Sequence, residues 1–206
     1  MYLIKTPQII KFLLKDCLWE LPKDQKVIYL TFDDGPTPEV TDWVLAILQI
    51  YNAKATFFSI GKNIVAHPKI YANILTSRHS VGNHTFDHLD GFQVSTKEYL
   101  DNINKASECI ESNLFRPPYG RMTINQYLQV KKQNKIIMWD LLSGDFDPKM
   151  SAKKSIDTLI SKAKDGSIIT FHDSIKAKPL LQSILPEVLH YWHENGYTFE
   201  AIPMTK

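Results

Sequence analysis

His84 and His88, four residues apart in His84-Thr85-Phe86-Asp87-His88, are a first pair whose types and spacing could do chemistry. On a helix the two would share one face, close enough to hold one metal ion. The zinc-protease helix carries its base as a glutamate directly after the first histidine; here that position is Thr85, so a base must come from elsewhere. Asp33-Asp34 supplies candidates. Adjacent carboxylates repel, and burying both is costly unless a metal relieves one and an arginine the other. The same Asp33-Asp34-Gly35-Pro36 is also good chemistry for a solvated turn. An arginine stands in the stiff segment Arg116-Pro117-Pro118-Tyr119-Gly120, where each proline fixes its own φ and restricts the residue before it. Held rigidly, Arg116 could grip a carboxylate in a bidentate pair; otherwise it is a surface arginine on a proline turn. His172, in Ile168-Ile169-Thr170-Phe171-His172-Asp173, could be a satisfied core histidine or a proton donor. Asp145, in the stretch from Trp139-Asp140 to Phe146, could partner it.

These residues fall at the exits of short apolar runs. Val27 to Phe32 is β-branched and aromatic and stops at Asp33; Val40, Trp43, Val44, Ile47, Leu48 and Tyr51 then recur at helical spacing. Ala55 to Ile60 reads as a second strand and Pro68 to Arg78 as a second helix, followed by a brief run from His79 to Gly82. Ser95 and Glu98 form a capping-box pattern that opens a helix through Ile110, and Thr123 with Gln126 forms another, opening a helix to about Lys132. Between them a brief strand ends at Phe115-Arg116-Pro117. Ile136 to Leu142 reads as one buried strand, Ser151 to Lys164 as a helix, and Ser167 to Phe171 as a strand. Pro179 to Asn195 reads as a helix kinked at Pro186, with Gly196 just past its end, and Tyr197 to Ile202 closes the series. About seven strands alternating with about six helices describe one α/β domain built on a parallel sheet. An open doubly wound sheet and a closed β/α barrel both suit that pattern. In either, a site is built at the C-terminal ends of the strands, where the polar candidates lie.

Composition removes several function classes. Hydrophobic residues make up 44% and charged residues 22%, which is globular rather than disordered or fibrous. The formal charge is +2 with no block of one sign, so no nucleic-acid footprint is present. No apolar stretch approaches the roughly 20 residues of a membrane span. Cys17 and Cys109 have no metal or redox spacing and read as plain thiols, although an oxidising compartment would let them pair. The segment 1–24 is an extension whose run Ile9-Ile10-Lys11-Phe12-Leu13-Leu14 is expected to form a helix packing its apolar face on the domain at 25–206. An export signal or surface anchor is the competing reading, but the run is short and no small-residue cleavage site follows it, so cytoplasm is the default expectation. Oligomeric state has no signature.

The order of the candidates is more specific than any one of them. Thr31-Phe32-Asp33-Asp34-Gly35, His84-Thr85-x-x-His88, Arg116-Pro117-Pro118-Tyr119, Trp139-Asp140 to Asp145 and His172-Asp173 follow one another, with Lys54-Ala55-Thr56-Phe57-Phe58 and Gly82-Asn83 as flanking matches. The set resembles the polysaccharide deacetylase family, the NodB-homology domain of carbohydrate esterase family 4, over about Val27 to Ile202. The resemblance implies a distorted (β/α)7 barrel and a metal-dependent hydrolase that removes N-acetyl groups from an N-acetylglucosamine-type oligo- or polysaccharide. It implies Asp34, His84 and His88 as ligands of one divalent metal, zinc first, with cobalt, nickel, manganese and iron also suited to such a donor set. It further implies Asp33 as general base, Arg116 as the residue orienting it, the Tyr119 backbone N–H as oxyanion donor, His172 as general acid and Asp145 as its partner. Two positions depart from the family pattern: Leu142 stands where an aspartate is frequent and Phe146 where a tryptophan is usual, both expected on the groove wall. Small amides and acetyl esters are the rival substrates on this scaffold, and an idle carbohydrate-binding protein is the rival from another class.

Overall fold

The computed structural model describes residues 4–22 and 25–204. Strand β1 (Val27–Asp33) is buried from end to end. Its period of two separates two environments. Ile28, Leu30 and Phe32 pack outward against Val40, Val44 and Leu48 of helix α2 (Val40–Ile50), while Tyr29 joins an inner cluster with Phe58, Leu114 and Ile168. Thr31 and Asp33 continue that inner face.

Around β1 the strands β2 (Ala55–Ser59), β3 (Ser80–Asn83), β4 (Leu114–Phe115), β5 (Lys135–Ile136), β6 (Leu141–Leu142) and β7 (Ile168–His172) lie in the order β5-β4-β3-β2-β1-β7-β6. Every pairing on this path is parallel, and β8 (Thr198–Phe199) adds to the start of β1. Parallel strands need crossovers, and the helices supply them: α2, then α3 (Gly61–Ala66) and α4 (Pro68–Thr76), α5 (Thr96–Ser107), α6 (Ile124–Val130), α7 (Ala152–Lys162) and α8 (Lys178–Glu194). The sheet curls into a distorted (β/α)7 barrel, so of the two architectures the sequence allows, the curled one is adopted.

Three expectations need correction. The run Ile136 to Leu142 is two short strands, because its middle bonds elsewhere: Met138 N–H donates to the Leu18 carbonyl (2.8 Å), and the Asp140 carbonyl accepts from Thr6 N–H (3.0 Å). Helix α3 is additional; it fills Gly61 to Ala66 and stops at the residue before Pro68, as a following proline requires. Helix α8 contains Pro186 within one element, and Gly196 sits just beyond it at φ 79°, as its place in the sequence predicts. The third concerns the N-terminal segment, of which residues 1–3 and 23–24 lie outside the described residues. Its helix α1 (Gln8–Leu13) does not bury its apolar side: Ile9, Phe12 and Leu13 are 63%, 75% and 70% exposed, and Lys11 is buried instead.

A buried carboxylate explains the inversion. Asp140 is fully buried and accepts from Lys11 Nζ (2.5 Å), Lys5 Nζ (2.7 Å) and Ser167 Oγ (2.8 Å), while Lys11 also reaches Glu20 (3.1 Å). A buried anion must be paired, and that need outweighs burying a few apolar atoms of one short helix. The same segment bridges the gap between β5 and β6, with Leu18 paired to Ile137, Lys5 to Leu141 and Glu20 to Ser167. Cys17 is buried there, and both cysteines are free thiols. No helix among the described residues is long and apolar enough to cross a membrane.

Removing one partner of a buried ion pair leaves an uncompensated charge. Lys11→Ala is therefore expected to lower unfolding free energy by about 3 kcal/mol, the low end of the usual range because Lys5 remains. Denaturant unfolding at neutral pH measures it. Burial pushes the Asp140 carboxyl up, but the bonds from Lys11, Lys5 and Ser167 outweigh it and the pKa is lowered. Its stabilisation is thus present above the unfolded value near 3.9 and is lost as pH falls below it. The deficit of Lys11→Ala should shrink below about pH 4.

Candidate active site

The interior of the barrel is filled at its centre by a cation. Arg116 follows β4, where the alternation Leu114 in, Phe115 out, returns it to the inside, and it is fully buried. Its guanidinium donates from Nη1 to Asp33 Oδ1 (2.7 Å) and Thr31 Oγ1 (2.7 Å), from Nε to the Ile137 carbonyl (3.1 Å) and from Nη2 to the Met138 carbonyl (2.9 Å). It lies over the Phe58 ring at 4.1 Å. Burial lowers its pKa and Asp33 opposes that shift; an arginine remains charged throughout. Phe58 needs room in turn, and Gly82 provides it, since a Cβ there would lie 2.4 Å from the ring.

Asp33 is the last residue of β1, still on the inner face, whereas Asp34 begins the turn at φ 83°. The divergence gives the two carboxylates different neighbours. Asp34 Oδ1 lies 3.2 Å from His88 Nε2 and 3.8 Å from His84 Nε2. Burial raises its pKa, but the His88 hydrogen bond and the neighbouring imidazoles outweigh this and hold the carboxyl well below the usual range. The two histidines converge without a helix. They sit on a loop after β3 whose Thr85 and His88 take left-handed φ of 63° and 59°. Buried Asn83 shapes that loop, accepting from Thr85 N–H (2.8 Å) and donating to the Ile103 carbonyl (2.9 Å).

His84, His88 and Asp34 fit a metal ion by donor type and by placement. His84 Nδ1 meets the Arg116 carbonyl at 2.7 Å; a carbonyl only accepts, so Nδ1 carries the proton and Nε2 keeps its lone pair. Burial lowers the His84 pKa to about 4, which keeps the ring neutral, as a ligand must be. One donor atom from each residue lies within 4.8 Å of the others. Two ligands about 2.1 Å from one zinc at a tetrahedral angle stand roughly 3.4 Å apart, between the two separations to Asp34 given above.

On the other side of β1, His172 ends β7 and pairs with Asp33 across the sheet. Asp145 grips it twice, Oδ2 accepting the backbone N–H (2.8 Å) and Oδ1 the ring Nδ1 proton (2.8 Å). Burial lowers the His172 pKa, yet the charge and hydrogen bond of Asp145, with Asp34 and Asp33 adding, raise it to about 9. Phe146 packs edge-on against the His172 ring at 4.9 Å. Leu142, by contrast, is buried in β6 and is no part of a groove wall. Tyr119 stands beside His88, ring centroids 4.7 Å apart, at φ 58°, and Gly120 follows at φ 66° with Trp139 where a Cβ would go.

The structure thus brings all eight candidates to the C-terminal end of the barrel. Thr31, Asn63 and Asn83 were not among them. Thr31 stands in the first matched motif, two residues before Asp33 on one strand face, and accepts from Arg116 Nη1. Both asparagines act on loop backbone; Asn83 stood in the flanking match Gly82-Asn83 without a role, and Asn63 had no signal in the sequence.

A family model described as polysaccharide deacetylase matches residues 20–138. A peptidoglycan-N-acetylglucosamine deacetylase of Bacillus cereus is 30% identical, over 89% of this chain and 90% of its own. A chitooligosaccharide deacetylase of Azorhizobium caulinodans is 36% identical over 74% and 76%. Among solved structures, the Bc1960 peptidoglycan N-acetylglucosamine deacetylase, in complex with 4-naphthalen-1-yl-N-oxidanyl-benzamide, superposes with a TM-score of 0.87 at 28% identity, covering 94% of each chain. The peptidoglycan deacetylase PdaC of Bacillus subtilis gives 0.78 at 31% identity, over 88% and 90%. The chain therefore belongs to the polysaccharide deacetylase family of carbohydrate-deacetylating enzymes.

Arg116→Ala would strand the buried Asp33 carboxylate and free two buried carbonyls. The expected loss is about 3–5 kcal/mol of unfolding free energy, read from denaturant midpoints. A loss below about 1 kcal/mol would show that the barrel centre tolerates the unpaired acid.

Proposed function

We propose that this chain is a metal-dependent hydrolase that removes N-acetyl groups from N-acetylglucosamine-type glycans, such as peptidoglycan or chitooligosaccharide, releasing acetate and a free amino sugar. The observation that carries the reading is the division of labour across β1. A charge-clamped carboxylate, Asp33, stands between a three-residue metal-ligand set and a histidine held cationic by its own aspartate. Relatives named for deacetylation of peptidoglycan and of chitooligosaccharide support the substrate class.

Bound by Asp34, His84 and His88, a divalent ion, zinc by preference, supplies Lewis-acid polarisation of the amide carbonyl and a lowered pKa for the attacking water. Asp33 takes the water proton, its carboxylate aimed by Arg116 Nη1. The Tyr119 N–H donates to the oxygen on which charge develops, a contribution that is large where water is excluded. An amine leaves poorly unless protonated. His172, with Nδ1–H committed to Asp145, offers its other nitrogen as the donor, and the pKa near 9 keeps that proton in place at neutral pH. Phe146 beside it forms the wall where the leaving sugar would lie.

Acetate release from defined N-acetylated chitooligosaccharides, muropeptide fragments, acetylated xylan and small amides tests the reading. Turnover of small amides or esters alone would overturn it, as would sugar binding without release at any metal tried. Among variants, Asp34→Ala and His84→Ala are expected to lose metal. His172→Ala should retain it and lose about 10²–10⁴ in kcat, the usual worth of a positioned acid. The pH profile offers an independent check. A general acid must be protonated, so activity falls as pH rises through its pKa. The alkaline limb is expected to move to lower pH in Asp145→Asn, where the largest raising charge and the hydrogen bond on His172 are gone.

A further inference from the structure

Asp173 follows the proposed acid His172 and has no part in the chemistry above. It is fully buried, and it faces the turn that carries the two working aspartates. Its backbone N–H donates to the Asp33 carbonyl (3.0 Å). Its Oδ1 accepts the Gly35 N–H (3.0 Å), and its Oδ2 accepts the Thr41 Oγ1 proton (2.6 Å). Thr41 Oγ1 accepts in turn from Thr37 N–H (2.7 Å), so the far end of the same turn is held too. One residue thus grips the backbone immediately before and after Asp34. The remaining Asp34 carbonyl is taken by Asn63 Nδ2 (2.7 Å).

Such a grip is needed where the chain is bent against its preference. Asp34 sits at φ 83°, a left-handed conformation that a residue with a Cβ adopts only when its surroundings over-determine it. Gly35 is matched to the clamp. A Cβ there would stand 2.0 Å from Asp173 Oδ2, so glycine is what allows the carboxylate to reach the backbone. Because His172 and Asp173 are consecutive, one strand end sets both the acid and the loop that must face it.

We propose that Asp173 is a positioning residue: by clamping the Asp33–Gly35 backbone it sets the direction of the Asp34 ligand oxygen and of the Asp33 carboxylate. The inference rests on the reading of Asp34 as a metal ligand. It differs from a merely stabilising role, which would leave zinc affinity and the kcat of folded protein unchanged.

The test is zinc titration of the full chain against a chromophoric chelator, with kcat and KM for N-acetylated oligosaccharide, on wild type, Asp173→Ala, Asp173→Asn and Thr41→Val. Asp173→Ala is expected to weaken zinc binding about 10–100-fold, the usual effect of removing a group that orients a ligand. It should lower kcat with KM within about twofold. Asp173→Asn keeps an acceptor for Gly35 N–H and should fall between, as should Thr41→Val; these two carry the test if the alanine variant does not fold. Gly35→Ala supplies a double-mutant cycle. It should be as damaging as Asp173→Ala alone and add little in the Asp173→Ala background, where the clash is gone. Zinc affinity within about twofold of wild type in the Asp173 variants, or additive Gly35 and Asp173 effects, overturns the clamp. No zinc binding by the wild type overturns the reading of Asp34 as a ligand, and the inference with it.

Discussion

A guanidinium buried at the centre of the barrel is the constraint from which much of this structure follows. An ion of that kind costs several kcal/mol to remove from water unless its donors are matched, and Arg116 matches four of its five N–H groups. Each match dictates something nearby. Asp33 must stay on the inner face, Thr31 must carry a hydroxyl, Phe58 must lie flat, and Gly82 must have no side chain. The carbonyls of Ile137 and Met138 must point inward, and at that place the sheet gives up its regular ladder. The N-terminal segment then repairs the ladder, with Leu18 pairing across Ile137 and two lysines neutralising Asp140.

The electrostatics of the site are set by environment more than by residue type. Two histidines at one end of the barrel have opposite character. His84 is buried against a carbonyl and stays neutral, with its pKa near 4, whereas His172, partly buried, is paired with a carboxylate and is held charged, near 9. Groups of one kind pushed apart in this way can take up opposite tasks in one reaction. Backbone conformation is specialised in the same place. Asp34, Thr85, His88 and Tyr119 all adopt left-handed φ, each at a cost of order 1–3 kcal/mol that surrounding hydrogen bonds and packing must offset.

Much of this was legible in the chain. Alternation in Val27–Asp33, the caps at Ser95 and Thr123, and the fall of polar residues after apolar runs located the strands, the helices and the end of the sheet that bears the site. The ordered motifs pointed to the family that the comparisons show. Local rules also misled where a distant charge intervened. An apolar hexad with one lysine predicts a helix with its lysine outside, and Asp140, about 130 residues away in the chain, turns the lysine in. The four-residue histidine spacing would put both rings on one face only if the segment were helical; the loop after β3 brings them together instead, with Asn83 holding it and two left-handed residues in it.

Residue types and their order determined the strand alternation, the donor set and the chemistry available, because these depend on side-chain identity and short-range period. The curl of the sheet, the separate fates of Asp33 and Asp34, and the partners of Thr31, Lys11 and Asp173 were decided only when the chain was folded. Each depends on which buried charge meets which donor across separations far beyond any local pattern, from 83 residues for Arg116 and Asp33 to 138 for Asp173 and Gly35. Local pattern carries no record of that pairing, and a buried charge left unpaired costs more than the local preferences it overrides.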